Sequence, residues 1–126
     1  MAKKVIAADN GPKAVGPYSN AIEVDGFVFT SGMLPIEAVT GQVVGGDIKS
    51  QTEKVLENLQ IFLKSAGTDV SKVVKTTVFM TNLSDFANMN EVYAKVFCDT
   101  PPARTTVQVV GLPKGVMVEI EAIAKK

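Results

Sequence analysis

The sequence predicts an α+β domain: a mixed β-sheet with two helices packed on one face. Three observations predict it. Asp25-Gly26 separates two short apolar runs, as in a β-hairpin. Two later segments repeat apolar residues at helical spacing. The other long segments alternate with a period of two and are rich in β-branched residues. Their order is hairpin, helix, strand, helix, strand, strand, which places two helices on a sheet of four to six strands.

The elements follow in chain order. Lys3 to Ala7 reads as a short strand. Asn10-Gly11-Pro12 and Gly16-Pro17 break it off, so Tyr18 and Ser19 fall in a loop. Ala21–Val24 and Phe27–Ser31 are the hairpin strands, joined by a type I′ turn that needs positive φ at both Asp25 and Gly26. Gly32 and Pro35 end the second strand, and Thr40-Gly41 and Gly45-Gly46 mark a further loop.

The clearest helix starts at Asp47. Ile48, Thr52, Val55, Leu59, Phe62 and Ala66 form one stripe, widened by Leu56 and Leu63, opposite Lys49, Glu53, Lys54, Glu57 and Lys64. Asp47 is the N-cap, and Gly67 stands just past the C-terminus. Val73 to Met80 is a strand, with Thr76, Val78 and Met80 alternating against Lys75, Thr77 and Phe79. Ser84 is the expected N-cap of a second helix, whose stripe runs through Phe86, Met89, Val92 or Tyr93, and Val96 or Phe97. Pro101-Pro102 stops it. Two strands close the chain, Ala103 to Val110 and Val116 to Ala124, joined by Leu112-Pro113-Lys114-Gly115.

Composition bounds the function. A chain of 126 residues suits one domain, residues 1–126. Lys plus Arg and Asp plus Glu number 13 each, a balance that argues against a general nucleic-acid surface. There is no histidine and one cysteine, Cys98. The commonest metal ligand and general base is therefore missing, and chemistry falls to carboxylates, Arg, Lys, Tyr, hydroxyls or backbone groups. The apolar run near the N-terminus spans about four residues, short of the roughly 7–15 of a signal segment. No stretch reaches the roughly 20 apolar residues of a membrane span. The expected location is cytoplasmic.

Two helices leave the other sheet face open to water or to another subunit, and its mixed, β-branched character favours a subunit. On the last strand, Val118, Ile120, Ala122 and Ala124 point to the helices, and Glu119, Glu121 and Ile123 point away. If the last two strands pair, Arg104 and Glu119 both project from the open face. Arg104 has the planar donor fork that grips a carboxylate in bidentate fashion, or that serves a structural ion pair. Glu119 is either a water-orienting base or a solvated sheet acid.

The run Pro101-Pro102-Ala103-Arg104-Thr105-Thr106-Val107-Gln108-Val109, then Leu112-Pro113-Lys114-Gly115, then Val118-Glu119-Ile120-Glu121-Ala122-Ile123-Ala124, closely resembles the C-terminal signature of the RidA family. Gly16-Pro17-Tyr18-Ser19, Phe29-Thr30-Ser31-Gly32, Thr40-Gly41 and Val74-Lys75-Thr76-Thr77-Val78 extend the resemblance over almost the whole chain. It implies a chorismate-mutase-like fold and a homotrimer with sheets facing inward and a site in each inter-subunit cleft. It also implies 2-iminobutanoate/2-iminopropanoate deamination, without a metal or organic cofactor. Arg104 resembles the family's substrate-binding arginine, and Glu119 its water-holding glutamate. Tyr18, Ser31, Gly32, Asn90 and Thr106 are the remaining expected substrate-binding residues. Some relatives carry a reactive cysteine where this chain has Thr106, and Cys98 has no histidine to activate it as a nucleophile. The competing readings are a non-enzymatic trimer that senses 2-keto acids, and a ribonuclease or translation inhibitor.

Overall fold

A computed structural model describes residues 2–126. Six strands and two helices account for the architecture: β1 (Lys4–Ile6), β2 (Ala21–Val24), β3 (Phe27–Thr30), α1 (Ile48–Ser65), β4 (Val73–Met80), α2 (Phe86–Val96), β5 (Ala103–Gln108) and β6 (Val118–Lys125). The strands form one sheet in the order β1-β2-β3-β6-β4-β5. All neighbours are antiparallel except β4 and β5, which are parallel.

Local chemistry explains where the elements begin and end. Asp25 and Gly26 adopt φ of 51° and 78°, the double positive φ that a type I′ hairpin requires. Asp47 caps α1, its Oδ1 accepting from the Ser50 amide at 2.9 Å. Gly67, at φ 84°, takes the left-handed conformation just beyond that helix. Thr52 lies in the buried stripe because its hydroxyl donates to the Ile48 carbonyl at 2.7 Å.

Ser84 does not cap α2. It sits inside a 3₁₀ turn, Leu83–Asp85, and the Asn82 side chain accepts from the Ser84 amide at 2.9 Å. The helix then starts at Phe86 with no side-chain cap, continued directly from the turn. β5 ends at Gln108, although the Val109 amide still reaches the Met80 carbonyl at 2.8 Å. β6 starts two residues later than expected, because a 3₁₀ turn at Pro113–Gly115 with Lys114 at φ 58° delays it.

Both helices are crossovers between parallel strands. α2 joins β4 to β5, and α1 joins β3 to β4 with β6 inserted between them. The two crossovers advance across the sheet in the same direction. Their shared handedness therefore puts both helices on one face. There Val55, Leu56, Leu59, Phe62 and Leu63 of α1, with Met89, Val92 and Tyr93 of α2, pack on Val28, Val78, Met80, Val118, Ile120, Ala122 and Ala124. Each fully buried large apolar side chain contributes about 1.5–3 kcal/mol. The open face presents Phe27, Phe29 and Val107, each partly exposed, among Lys75, Thr77, Glu119 and Glu121.

The register corrects one expectation. β5 does not pair with β6; β4 lies between them. Thr76 stands opposite Ala122 on one side and Arg104 on the other, and Val78 opposite Ile120 and Thr106. These rows face the helices. Phe79 stands opposite Glu119 and Val107, and that row faces away. Arg104 and Glu119 therefore occupy opposite faces of the sheet. Among the described residues no helix is long and apolar enough to cross a membrane.

Leu59 is fully buried at the centre of the helix–sheet interface. Leu59→Ala is expected to lower unfolding stability by about 2–5 kcal/mol in urea titration. A loss below about 1 kcal/mol would contradict the packing described.

Candidate active site

The expected site residues fall into two groups. Tyr18, Ser31, Gly32 and Glu119 gather where the end of β3 meets β6. The Met33 amide donates to the Ile120 carbonyl at 2.7 Å, which holds the chain after Gly32 against β6. A Cβ built on Gly32 would stand 1.8 Å from Glu119 Oε2. A side chain here would displace that carboxylate from where it stands, so Gly32 serves Glu119 through space rather than through unusual φ.

Ser31 Oγ donates to the Ser19 carbonyl at 2.6 Å, and the Ser31 amide donates to the Asn20 carbonyl at 2.8 Å. Its hydroxyl proton thus fastens the preceding loop to the strand. Tyr18 lies in that loop 46% exposed, its hydroxyl accepting from the Val15 amide at 3.3 Å. Tyr18 and Gly32 line one shallow depression with Lys13, Asn20 and Met33.

Glu119 is half-buried, and among the described residues no cation lies within 4.0 Å of it. Burial pushes its carboxyl above the ordinary value of 4.5, and the nearby Glu121 charge adds to the rise. A carboxylate so placed is a better base than a solvated one and keeps its proton at higher pH.

The second group lies across the sheet. Arg104 Cζ lies 4.7 Å from the Tyr93 ring centre and 5.4 Å from the Phe86 ring centre. Among the described residues no carboxylate lies within 4.0 Å of this guanidinium. The described residues do not form the structural ion pair that the sequence left open. Two polar atoms nearby are buried without a hydrogen-bond partner: Asn90 Oδ1 and Thr106 Oγ1. Thr106 follows Arg104 by two residues on the same face of β5, and Asn90 lies between Phe86 and Tyr93 on α2. Unsatisfied buried polar atoms beside a cation leave hydrogen-bonding capacity that water or a polar ligand can take up.

Phe86 and Tyr93 are the contacts that the sequence did not single out. Helical periodicity reads both as core stripe, and nothing in that pattern says that an arginine from a distant strand lies against them. Burial raises the Tyr93 phenol above its ordinary range, opposed by its hydrogen bond with Thr76 and by the charge and a hydrogen bond of Arg104. Cys98 is exposed just beyond α2, outside both groups.

Known proteins resemble this chain over nearly its whole length. The family profile described as Endoribonuclease L-PSP matches residues 8–126. A RutC family protein of Pyrococcus abyssi is 51% identical over 126 residues, covering 100% of this chain and 99% of the relative. The 2-iminobutanoate/2-iminopropanoate deaminase of Mus musculus is 43% identical over 122 residues, covering 97% of this chain and 90% of that protein. The crystal structure of RidA from an Antarctic Psychrobacter superposes with a TM-score of 0.94 at 42% identity, covering 98% of this chain and 99% of the other.

The raised Glu119 carboxyl has a consequence for stability. The folded state holds this proton more tightly than the unfolded chain. Stability therefore falls as pH rises from 4.5 through the raised value, and the penalty is complete above it. Glu119→Gln, which removes the charge, is expected to be at least as stable as wild type at neutral pH. That advantage should shrink as the pH is lowered towards 4.5. Urea midpoints across pH check this; a variant less stable at pH 7 and unchanged at low pH would contradict it.

Proposed function

This chain belongs to the RidA family, that of the Endoribonuclease L-PSP profile, and from that premise we propose that it hydrolyses reactive 2-imino acids to 2-keto acids and ammonia. The observation that carries the reading is Arg104: a guanidinium held between rings, with no carboxylate of its own chain and two unsatisfied polar atoms beside it. Such a group suits a small carboxylate ligand. The substrates fit as products of pyridoxal-phosphate-dependent dehydratases, which release enamines that tautomerise to imines.

Arg104 takes the substrate carboxylate in bidentate fashion, and Asn90 and Thr106 meet the remaining polar atoms. Glu119 orients a water towards C2 and accepts its proton as the C–O bond forms and the C=N π pair moves to nitrogen. Glu119 returns that proton to the nitrogen, giving the neutral carbinolamine. In its collapse the hydroxyl proton passes through Glu119 to the departing nitrogen, the C–N bond breaks and the C=O bond forms. Water and imine give 2-keto acid and ammonia, with no oxidant or reductant. The raised Glu119 carboxyl suits both the acceptance and the return of the proton.

One chain cannot run this sequence, because Arg104 and Glu119 stand on opposite sheet faces with β4 between their strands. The reading therefore needs a second subunit, and the family resemblance supplies its form, a homotrimer. Its open faces turn inward, and the edge strand β5 of one copy lies against the Glu119 side of the next. The partly exposed Phe27, Phe29 and Val107 supply the apolar cover that such an interface needs. The equal number of 13 cations and 13 anions and the lack of histidine favour a small carboxylate over RNA as substrate.

Imine generated by a dehydratase or an amino-acid oxidase in the presence of semicarbazide tests the reading. Wild type should suppress semicarbazone formation from 2-iminobutanoate. Arg104→Lys keeps the charge but loses the fork and should lose most of the activity. Glu119→Gln should slow turnover by about 10²- to 10⁴-fold. Near wild-type rates in either variant would remove that residue's role. Saturable 2-keto acid binding without turnover would favour a sensor instead.

A further inference from the structure

We infer that Phe86 and Tyr93 are positioning residues for Arg104: they bracket its guanidinium so that the donor fork is presented ready-made to a carboxylate. The inference rests on the clamp role proposed for Arg104 and extends it to residues whose side chains do not have to touch the substrate.

The geometry comes from one helix face. Phe86, Asn90 and Tyr93 stand at i, i+4 and i+7 on α2, so they line one stripe. Seven residues span about 10.5 Å of rise, two turns. The Arg104 Cζ lies 5.4 Å from the first ring centre and 4.7 Å from the last. The guanidinium therefore occupies the gap between two rings, beside Asn90.

The inner ring is anchored. Tyr93 is 5% exposed, and its hydroxyl shares a 2.7 Å hydrogen bond with that of Thr76, itself fully buried. Thr76 is also the cross-strand neighbour of Arg104 in the parallel β4–β5 pair. The tether that fixes the Tyr93 ring is thus made in the sheet row from which Arg104 rises. The outer ring, Phe86, is 39% exposed.

The division of surfaces matters. An arginine side chain has many rotamers, and a bidentate contact needs one of them. Rings engage a guanidinium through its face, leaving the N–H edges free in its plane. A carboxylate partner would have fixed the side chain too, but it would have consumed those donors. Aromatic bracketing holds the cation chiefly through its face, and the Tyr93 hydroxyl takes up only part of the donor set.

The test measures 2-ketobutyrate binding by calorimetry beside kcat and KM for 2-iminobutanoate. Phe86→Leu keeps an apolar side chain and removes the ring. Dissociation constant and KM should rise by about five- to tenfold, with kcat nearly unchanged. Phe86→Tyr, which restores a ring, should restore affinity. Tyr93→Phe and Thr76→Val each cut the tether and should weaken binding by a similar amount as each other, and the double variant no further. In an Arg104→Lys background Phe86→Leu should lose most of its effect. Near-UV circular dichroism and solution size confirm that each variant is folded and assembled.

Wild-type affinity in assembled Phe86→Leu would overturn the bracket and leave imine hydrolysis standing. An equal loss from Phe86→Leu in the Arg104→Lys background would also overturn it, since the ring would then act independently of the guanidinium. Wild type that binds 2-ketobutyrate without hydrolysing imine, with the same losses in the variants, would uphold the bracket and overturn the hydrolytic reading.

Discussion

The insertion of β6 between β3 and β4 is the constraint on which the rest of the molecule depends. It sets β3 and β4 parallel to one another, so that α1 and α2 both become crossovers and fall on the same face. It pushes β5 to the edge of the sheet. It also fixes the pleat rows, and with them the faces of Arg104 and Glu119. A one-residue shift of β6 would turn Glu119 into the core and bring Ile120 out. Four fully or nearly buried side chains, Val118, Ile120, Ala122 and Ala124, oppose that shift.

Within this frame Arg104 and Glu119 are each left without an oppositely charged partner among the described residues. Glu119 has Glu121 nearby and no close cation. Arg104 has aromatic rings and no close carboxylate. A fold selected for stability alone would pair such groups or leave them in water. Gly32 gives up a side chain for the sake of the Glu119 carboxylate. Asn90 Oδ1 and Thr106 Oγ1 remain unsatisfied. In the function proposed, these local costs keep hydrogen-bonding capacity available to a ligand.

Much of the fold was legible because its signals are local. Asp25-Gly26 determines its own turn, and Asp47, the apolar stripe and Gly67 delimit α1 by short-range chemistry. Ser84 misled because Asn82 competes for the same capping task two residues earlier, through a 3₁₀ turn that periodicity does not reveal. The strand pairing was not legible. Alternation tells which residues share a face of one strand, but not which strand lies beside it. The assumption that neighbours in sequence pair in space joined β5 to β6 and put Arg104 on the wrong face. The site residues themselves were named through family resemblance. Their division into two groups is a property of the sheet order, and the contacts of Phe86 and Tyr93 with Arg104 are long-range, beyond the reach of helical spacing.

The central claim is that Arg104 of one copy and Glu119 of another act on the same substrate. Mixed assembly tests it most directly. Arg104→Ala and Glu119→Gln chains, each inactive alone, would be unfolded together, refolded at equal amounts and assayed for 2-iminobutanoate hydrolysis. If each site combines the Arg104 side of one subunit with the Glu119 side of its neighbour, random trimers recover about a quarter of wild-type activity. Trimers that form from both chains yet stay inactive would contradict the shared site.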